Sequence, residues 1–314
     1  MRINYAPRSA YQSIEAPLTK EGGNAFIGTP EQQLRRSIMT CMLWEDSFYE
    51  SGISIADRIA GLIPKVPFDA LSQIAIDARE KQKLRHVPLL IAASASAVYG
   101  GKQVGDLVAR IIQRPDECGE LVAICRKISK KRMVPRQVKL GIGRALRKFD
   151  EYSLAKWDQS RADFSLADVI RLCHVRAGEN RDFALLLARI ANKTFIPEDV
   201  KARYEFGEVQ FGLSTPDTWE TKLSAGADKK ATFERLISEG KLGAMALLRN
   251  LRGMTEAGVE PTMIRHGLAM AKADRLLPFR FIAAANAAPT FQPELEALML
   301  KCLEGREKLK GKTI

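Results

Sequence analysis

Histidine and cysteine are scarce in this chain, with 3 and 5 among 314 residues, and neither forms a cluster. His86, His174 and His266 lie far apart, and no His-Glu-x-x-His or Cys-x-x-Cys spacing occurs. The pattern excludes the common zinc arrangements, and the odd, scattered cysteines exclude a disulfide framework. Cys41, Cys125, Cys173 and Cys302 sit in apolar helical patterns, where a thiol acts as a small core hydrophobe. A Gly-x-Ser-x-Gly nucleophile elbow is also missing. Gly305 to Thr313 approaches a phosphate-binding loop but places one residue too many between its glycines. No catalysis, cofactor or metal is therefore expected.

Long apolar runs are lacking as well. The best, Val87 to Tyr99, is shorter than a membrane span and is interrupted by Pro88, Ser94 and Ser96. Met1 to Ala10 holds no apolar segment of the secretory type, so a cytoplasmic location is expected. Alternating apolar and polar residues with β-branched enrichment are absent, which removes the signal for strands. Neither a Gly-x-x-Gly clamp nor an aromatic pair on a strand announces a small RNA-binding module.

Helical periodicity, by contrast, recurs from Thr29 to the end. Thr29-Pro30-Glu31-Gln32 combines an N-cap, a proline at the first helical position and a capping-box glutamine. The helix they open is expected to run to Gly52, with Leu34, Ile38, Cys41, Met42 and Phe48 inward. Short helices follow at 54–63, 67–83, 87–99 and 103–113, then 136–150 and, from the Ser165 cap, 166–175. Further helices read at 181–192, 217–225, 229–239, 243–257, 261–273, 278–286 and 293–309. About fifteen helices without the fixed period of tetratricopeptide or ankyrin arrays make an all-α protein of irregular HEAT-like repeats, forming a curved solenoid or ring. Residues 1–28 read as an N-terminal extension and 29–314 as the repeat domain, with an internal boundary near 205–215.

Charge is distributed unevenly. Ten of the 49 lysines and arginines fall between Arg126 and Lys148 with no acidic residue among them, in a chain of net charge +12. Such an excess repels itself unless a polyanion offsets it, and nucleic acid phosphate is the common partner; a merely solvated face carries interleaved Glu and Asp. In the helix from Arg136, Val138, Ile142, Ala145 and Phe149 share a narrow arc, while Arg136, Lys139, Arg144, Arg147 and Lys148 occupy the rest. Trp157 and Tyr152 follow beside Lys156 and Arg161, where a ring could stack on an unpaired base or pack between helices. His174 lies at the shoulder of its helix's apolar stripe, accessible to solvent.

Several ordered strings carry a resemblance. Glu31-Gln32-Gln33-Leu34-Arg35-Arg36-Ser37, Leu43-Trp44-Glu45-Asp46, Gly143-Arg144-Ala145-Leu146-Arg147-Lys148, Leu242 to Arg252 and Leu277-Pro278-Phe279-Arg280-Phe281 resemble the TROVE module of the Ro 60 kDa autoantigen family, whose bacterial members are called Rsr. The resemblance implies a ring of HEAT-like helical pairs that binds small noncoding Y RNAs outside and 3′ ends of misfolded RNAs in its hole, for noncoding RNA quality control. It also implies an exoribonuclease reached through the RNA, and a monomer. It places RNA contacts on the basic helix, on Lys156 and Arg161 (with one residue of spacing changed around Ser160), and on His174 of Arg171-Leu172-Cys173-His174, where Cys replaces Ser. Full members continue into a von Willebrand A domain with an Asp-x-Ser-x-Ser metal site, and that motif does not occur here. The expectation is a TROVE module alone, either truncated or naturally short. The rival expectation is a helical module whose concave face receives an acidic peptide.

Overall fold

The structure, a computed structural model, describes residues 22, 28–41, 51–129, 132–158, 163–192, 195–208, 211–274 and 276–304. Among them are 17 α-helices and no strand, so the protein is all-α. The chain divides into two compact units, Met1–Ser214 and Thr215–Ile314.

The first unit contains α1 (Pro30–Thr40), α2 (Gly52–Leu62), α3 (Phe68–Glu80), α4 (His86–Val98), α5 (Lys102–Ile111) and α6 (Asp116–Ile128). It continues with α7 (Arg136–Leu146), α8 (Glu151–Trp157), α9 (Leu166–Cys173), α10 (Arg181–Ala191) and α11 (Glu198–Tyr204). Alternate helices pack on one another, α1 on α3, α2 on α4, α3 on α5, α4 on α6, α5 on α7 and α7 on α9. That is the two-layered stacking of helical hairpins in HEAT-like arrays. One continuous core runs from Leu34 to Ile190. Its centre is α4, an apolar helix buried along Val87 to Ala95, because helices pack on it from several sides.

The second unit contains α12 (Trp219–Ser224), α13 (Lys229–Ser238), α14 (Ala244–Glu256), α15 (Pro261–Met270), α16 (Pro278–Ala287) and α17 (Gln292–Leu303). The same alternation recurs, α13 on α15, α14 on α16 and α15 on α17, around a separate core from Phe233 to Cys302.

Local chemistry explains most boundaries. Thr29 and Gln32 form the expected capping box, as do Ser165 and Asp168. Each cap is worth about 1 kcal/mol. Three of the boundaries that differ from expectation have a local cause. The first helix ends at Thr40 with Cys41 extended, where the Ser37 and Thr40 hydroxyls donate to backbone carbonyls of their own helix. Met42 and Phe48, expected on its buried side, lie outside the described residues, as does the Leu43–Asp46 string. The helix expected to reach Asp150 stops at Leu146, because Asp150 is itself the N-cap of α8, accepting from the Ser153 N–H at 2.8 Å. Helix α9 ends at Cys173, two residues early, because His174 adopts a left-handed φ of 52° and closes the helix as its C-cap. Helices α6, α8 and α11 stand where no helix was expected.

One buried ion pair braces the first unit. The Arg79 guanidinium donates to Glu117 Oε1 at 2.5 Å and to the Ile111 carbonyl at 3.0 Å. Glu117, fully buried, also accepts from the backbone N–H groups of Gln113 at 2.8 Å and Arg114 at 3.2 Å, tying the loop between α5 and α6 to α3.

Candidate nucleic-acid interface

The carboxylate-free stretch from Arg126 to Lys148 spans the end of α6, the connection to α7 and α7 itself. Helix α7 buries Val138, Gly141, Ile142, Ala145 and Leu146. At about 100° per residue, Arg136, Gly143 and Arg147 then centre on the opposite arc, with Lys139 at its margin toward α9. Arg144 and Lys148 fall toward the other margin, next to Gly141, the glycine that faces α5.

That margin is a close helix crossing. A Cβ on Gly141 would lie 2.7 Å from the Gly105 carbonyl oxygen of α5, and one on Gly105 would lie 2.9 Å from the Gln137 carbonyl oxygen. With the backbones this close, side chains at the margin reach across α5. Arg144 pairs with Asp106, and its Nε is buried without a hydrogen-bond partner. Lys148 donates to the carbonyls of Ala109 and Ile112, the latter at 2.7 Å, and so caps the C-terminal end of α5. Burial in that seat holds the Lys148 ammonium below the usual lysine range. Arg147 turns the other way, donating to the Arg176 carbonyl at 2.7 Å with its guanidinium 4.9 Å from the Phe183 ring centre.

Arg136 and Lys139 differ from these three. Neither has a hydrogen bond or ion pair among the described residues, and the same holds for the side chain of Arg132, just before α7. Arg136 and Arg132 are exposed, and Lys139 is half-buried beside α9, where its charge partly offsets the burial that pushes the Cys173 thiol up to about 11. The expected set of five cations therefore resolves into two open side chains and three that also fasten α7 to its neighbours.

Lys156, exposed on α8, has its ammonium 5.7 Å from the Tyr152 ring centre and 5.8 Å from that of Trp157. Trp157 is half-buried, and a guanidinium that sequence reasoning overlooked, Arg114, lies 3.6 Å from its ring centre. Arg114 is held there by Asp116 at 2.7 Å and 3.1 Å. Asp116 begins α6, the helix that lacked a clear sequence signal, so the partnership was hidden. His174 is exposed, and Arg171 beside it donates to the Ala191 carbonyl. Arg161 lies outside the described residues. No group of three or more His, Cys, Asp or Glu able to hold a metal occurs among the described residues.

Two-layered stacks of helical hairpins with one carboxylate-free cationic helix define the class: an all-α repeat protein with a basic face. Residues 158–302 match the family model of the TROVE domain, an RNA-binding domain, and the resemblance carried by the Leu242–Arg252 and Leu277–Phe281 strings is shown there. The match covers α9 to α17 and includes Arg161 and His174; the basic helix and Lys156 precede it. Telomerase protein component 1 of Mus musculus is 32% identical over 93 residues, which are 27% of this chain and 4% of that protein. The protein of the same name from Rattus norvegicus is 31% identical over 93 residues, with the same 27% and 4%. The matching stretch thus spans a small fraction of these curated relatives. No solved structure matches the chain.

Proposed function

We propose that the protein is a non-catalytic RNA-binding scaffold, with the exposed arc of α7 as its phosphate-binding surface. The observation that carries this is the open pair Arg136 and Lys139, set with Arg132 in a stretch free of carboxylates. Cations of this kind gain most from a polyphosphate, since no internal carboxylate must be displaced first. The TROVE match over residues 158–302 supports the same assignment from an independent part of the chain. Lys156 and His174, both exposed, are assigned to the same RNA-binding role, as is Arg161, and the cations flanking Trp157 suit an unpaired base beside a backbone.

In its finer form the proposal makes the ligands small, Y-like noncoding RNAs and the 3′ ends of misfolded RNAs, in cytoplasmic quality control by a monomer, with an exoribonuclease engaged through the RNA. The test is competition between a hairpin RNA with an unpaired 3′ tail and a blunt duplex of equal length. Preferential binding of the tailed RNA, with affinity falling steeply as salt rises, is expected. Equal affinity would remove the 3′-end role. Purified protein that carries a nuclease-insensitive acidic protein in place of RNA would overturn the whole assignment.

A further inference from the structure

A pocket of about 520 Å³ opens in the first unit beside the basic stretch. Its floor is apolar, from Ala56 of α2, Leu90 and Ala93 of α4 and Cys125 of α6, all buried. Ser94 joins this floor with 6% of its surface accessible, and its hydroxyl has no hydrogen-bond partner. Ser96, two residues on in the same wall, shows the ordinary alternative by donating to the Ala93 carbonyl at 2.6 Å. The hydroxyl itself is covered in the free protein, so a turn of the Ser94 side chain toward the pocket is what brings it to a ligand able to supply its partner.

The rim carries further information. Val98 and Ile128 stand exposed on it, offering apolar surface to whatever enters. Ile128 and Ser129 belong to the carboxylate-free stretch, and Pro135 directly precedes Arg136. A molecule seated in the pocket thus keeps its outer end near cations while its inner end meets apolar walls beside Ser94. Asp57, on the α2 side of the lining, accepts hydrogen bonds and repels phosphate, so it favours a donor-bearing edge. An apolar body with a hydrogen-bonding edge and an anionic tail describes a nucleotide.

We infer that this pocket takes a single unpaired nucleobase of a bound RNA strand, with Ser94 and Asp57 meeting its polar edge and its flanking phosphates held near Arg132 and Arg136. The inference rests on the RNA-binding proposal and deepens it, from a surface that holds backbones to a socket that selects unpaired strands. A base with an exocyclic amino group, such as adenine, gives Asp57 a donor that uracil's carbonyl at the same position does not.

Two variants test it. Ala97→Phe fills the mouth from an exposed position of α4, and Ser94→Ala removes only the unpaired hydroxyl. With single-stranded oligoadenylate as probe, Ala97→Phe is expected to weaken binding by about tenfold, the scale of one lost stacking platform, and Ser94→Ala by about fivefold. A blunt duplex RNA should bind wild type and both variants alike. Ser94→Ala should also melt no lower than wild type, since it deletes a group unsatisfied in the free protein. Wild-type RNA binding that neither variant changes would overturn the pocket alone. Failure of wild type to bind either RNA would overturn the RNA-binding proposal, and this inference with it.

Discussion

Replacing Gly141 by alanine probes the crossing that organises the basic helix. The new Cβ would sit 2.6 Å from Val108 Cβ, 2.7 Å from Val108 Cγ1 and 2.7 Å from the Gly105 carbonyl oxygen. Real Cβ contacts essentially never fall under 3.0 Å, and a backbone oxygen in a helix cannot turn aside, so α5 and α7 must separate. Overpacking of this kind costs about 1–3 kcal/mol, while removing a glycine from a helix interior returns about 1 kcal/mol. The net loss is about 0–2 kcal/mol, or up to about 8 °C in melting temperature for a unit of this size. Gly143→Ala is the control. Its Cβ meets only Val175 Cγ1, at an ordinary 3.8 Å, so it keeps the propensity gain without the clash and should raise the melting temperature. Thermal unfolding followed by circular dichroism measures both. A Gly141→Ala protein as stable as the Gly143→Ala protein would refute the close crossing, and with it the explanation of why Arg144 and Lys148 reach over α5.

Further outcomes follow from the same geometry. Alanine at both Arg136 and Lys139 should lower the salt slope of RNA binding by about 1.4–1.8, two phosphate contacts' worth, whereas alanine at Arg144 and Lys148 should act mainly on stability; filter binding across salt concentrations would expose the reverse pattern. Glu117→Gln leaves the Arg79 charge buried without its counter-ion and should cost about 3 kcal/mol or more, read as a lower urea midpoint; an unchanged midpoint would mean the pair contributes nothing. Burial pushes the Cys125 thiol up to about 12 and that of Cys173 to about 11, from an ordinary 9.0. Raised folded values mean their contribution is complete below pH 9.0 and is lost as pH climbs toward 11, by about 1.4 kcal/mol per pH unit for each thiol. Urea unfolding of a Cys125→Ala, Cys173→Ala double variant should show a shallower loss over that interval, and a slope equal to wild type would contradict it.

Local signals carried most of the fold. Thr29 with Gln32 and Ser165 with Asp168 announce helix starts through side chains three residues apart, a pattern wholly contained in the sequence. Helix α6 escaped notice because Gly119 interrupts its pattern, and that glycine answers a tertiary demand: a Cβ there would meet the Phe164 carbonyl oxygen at 2.5 Å. The basic helix was legible from composition and periodicity, but the fate of its cations was not. Asp106, Ala109 and Arg176 lie 38, 39 and 29 residues from the side chains they receive. The crossing of α5 and α7, foreshadowed by helix-interior glycines at 105 and 141, takes up Arg144 and Lys148, and the turn after α9 takes up Arg147. The pocket likewise combines α2, α4 and α6, and an unpaired hydroxyl leaves no trace in a sequence.

Arg147 and Lys148 are adjacent in the chain yet serve opposite neighbours, one fastened to the turn after α9 and the other to the end of α5. Inserting or deleting one residue between Arg136 and Arg147 would swing both fasteners by about 100°, so that each would miss its acceptor. The length of this segment is therefore constrained more tightly than its composition: an exchange of side chains loosens one attachment, whereas a change in spacing undoes two together.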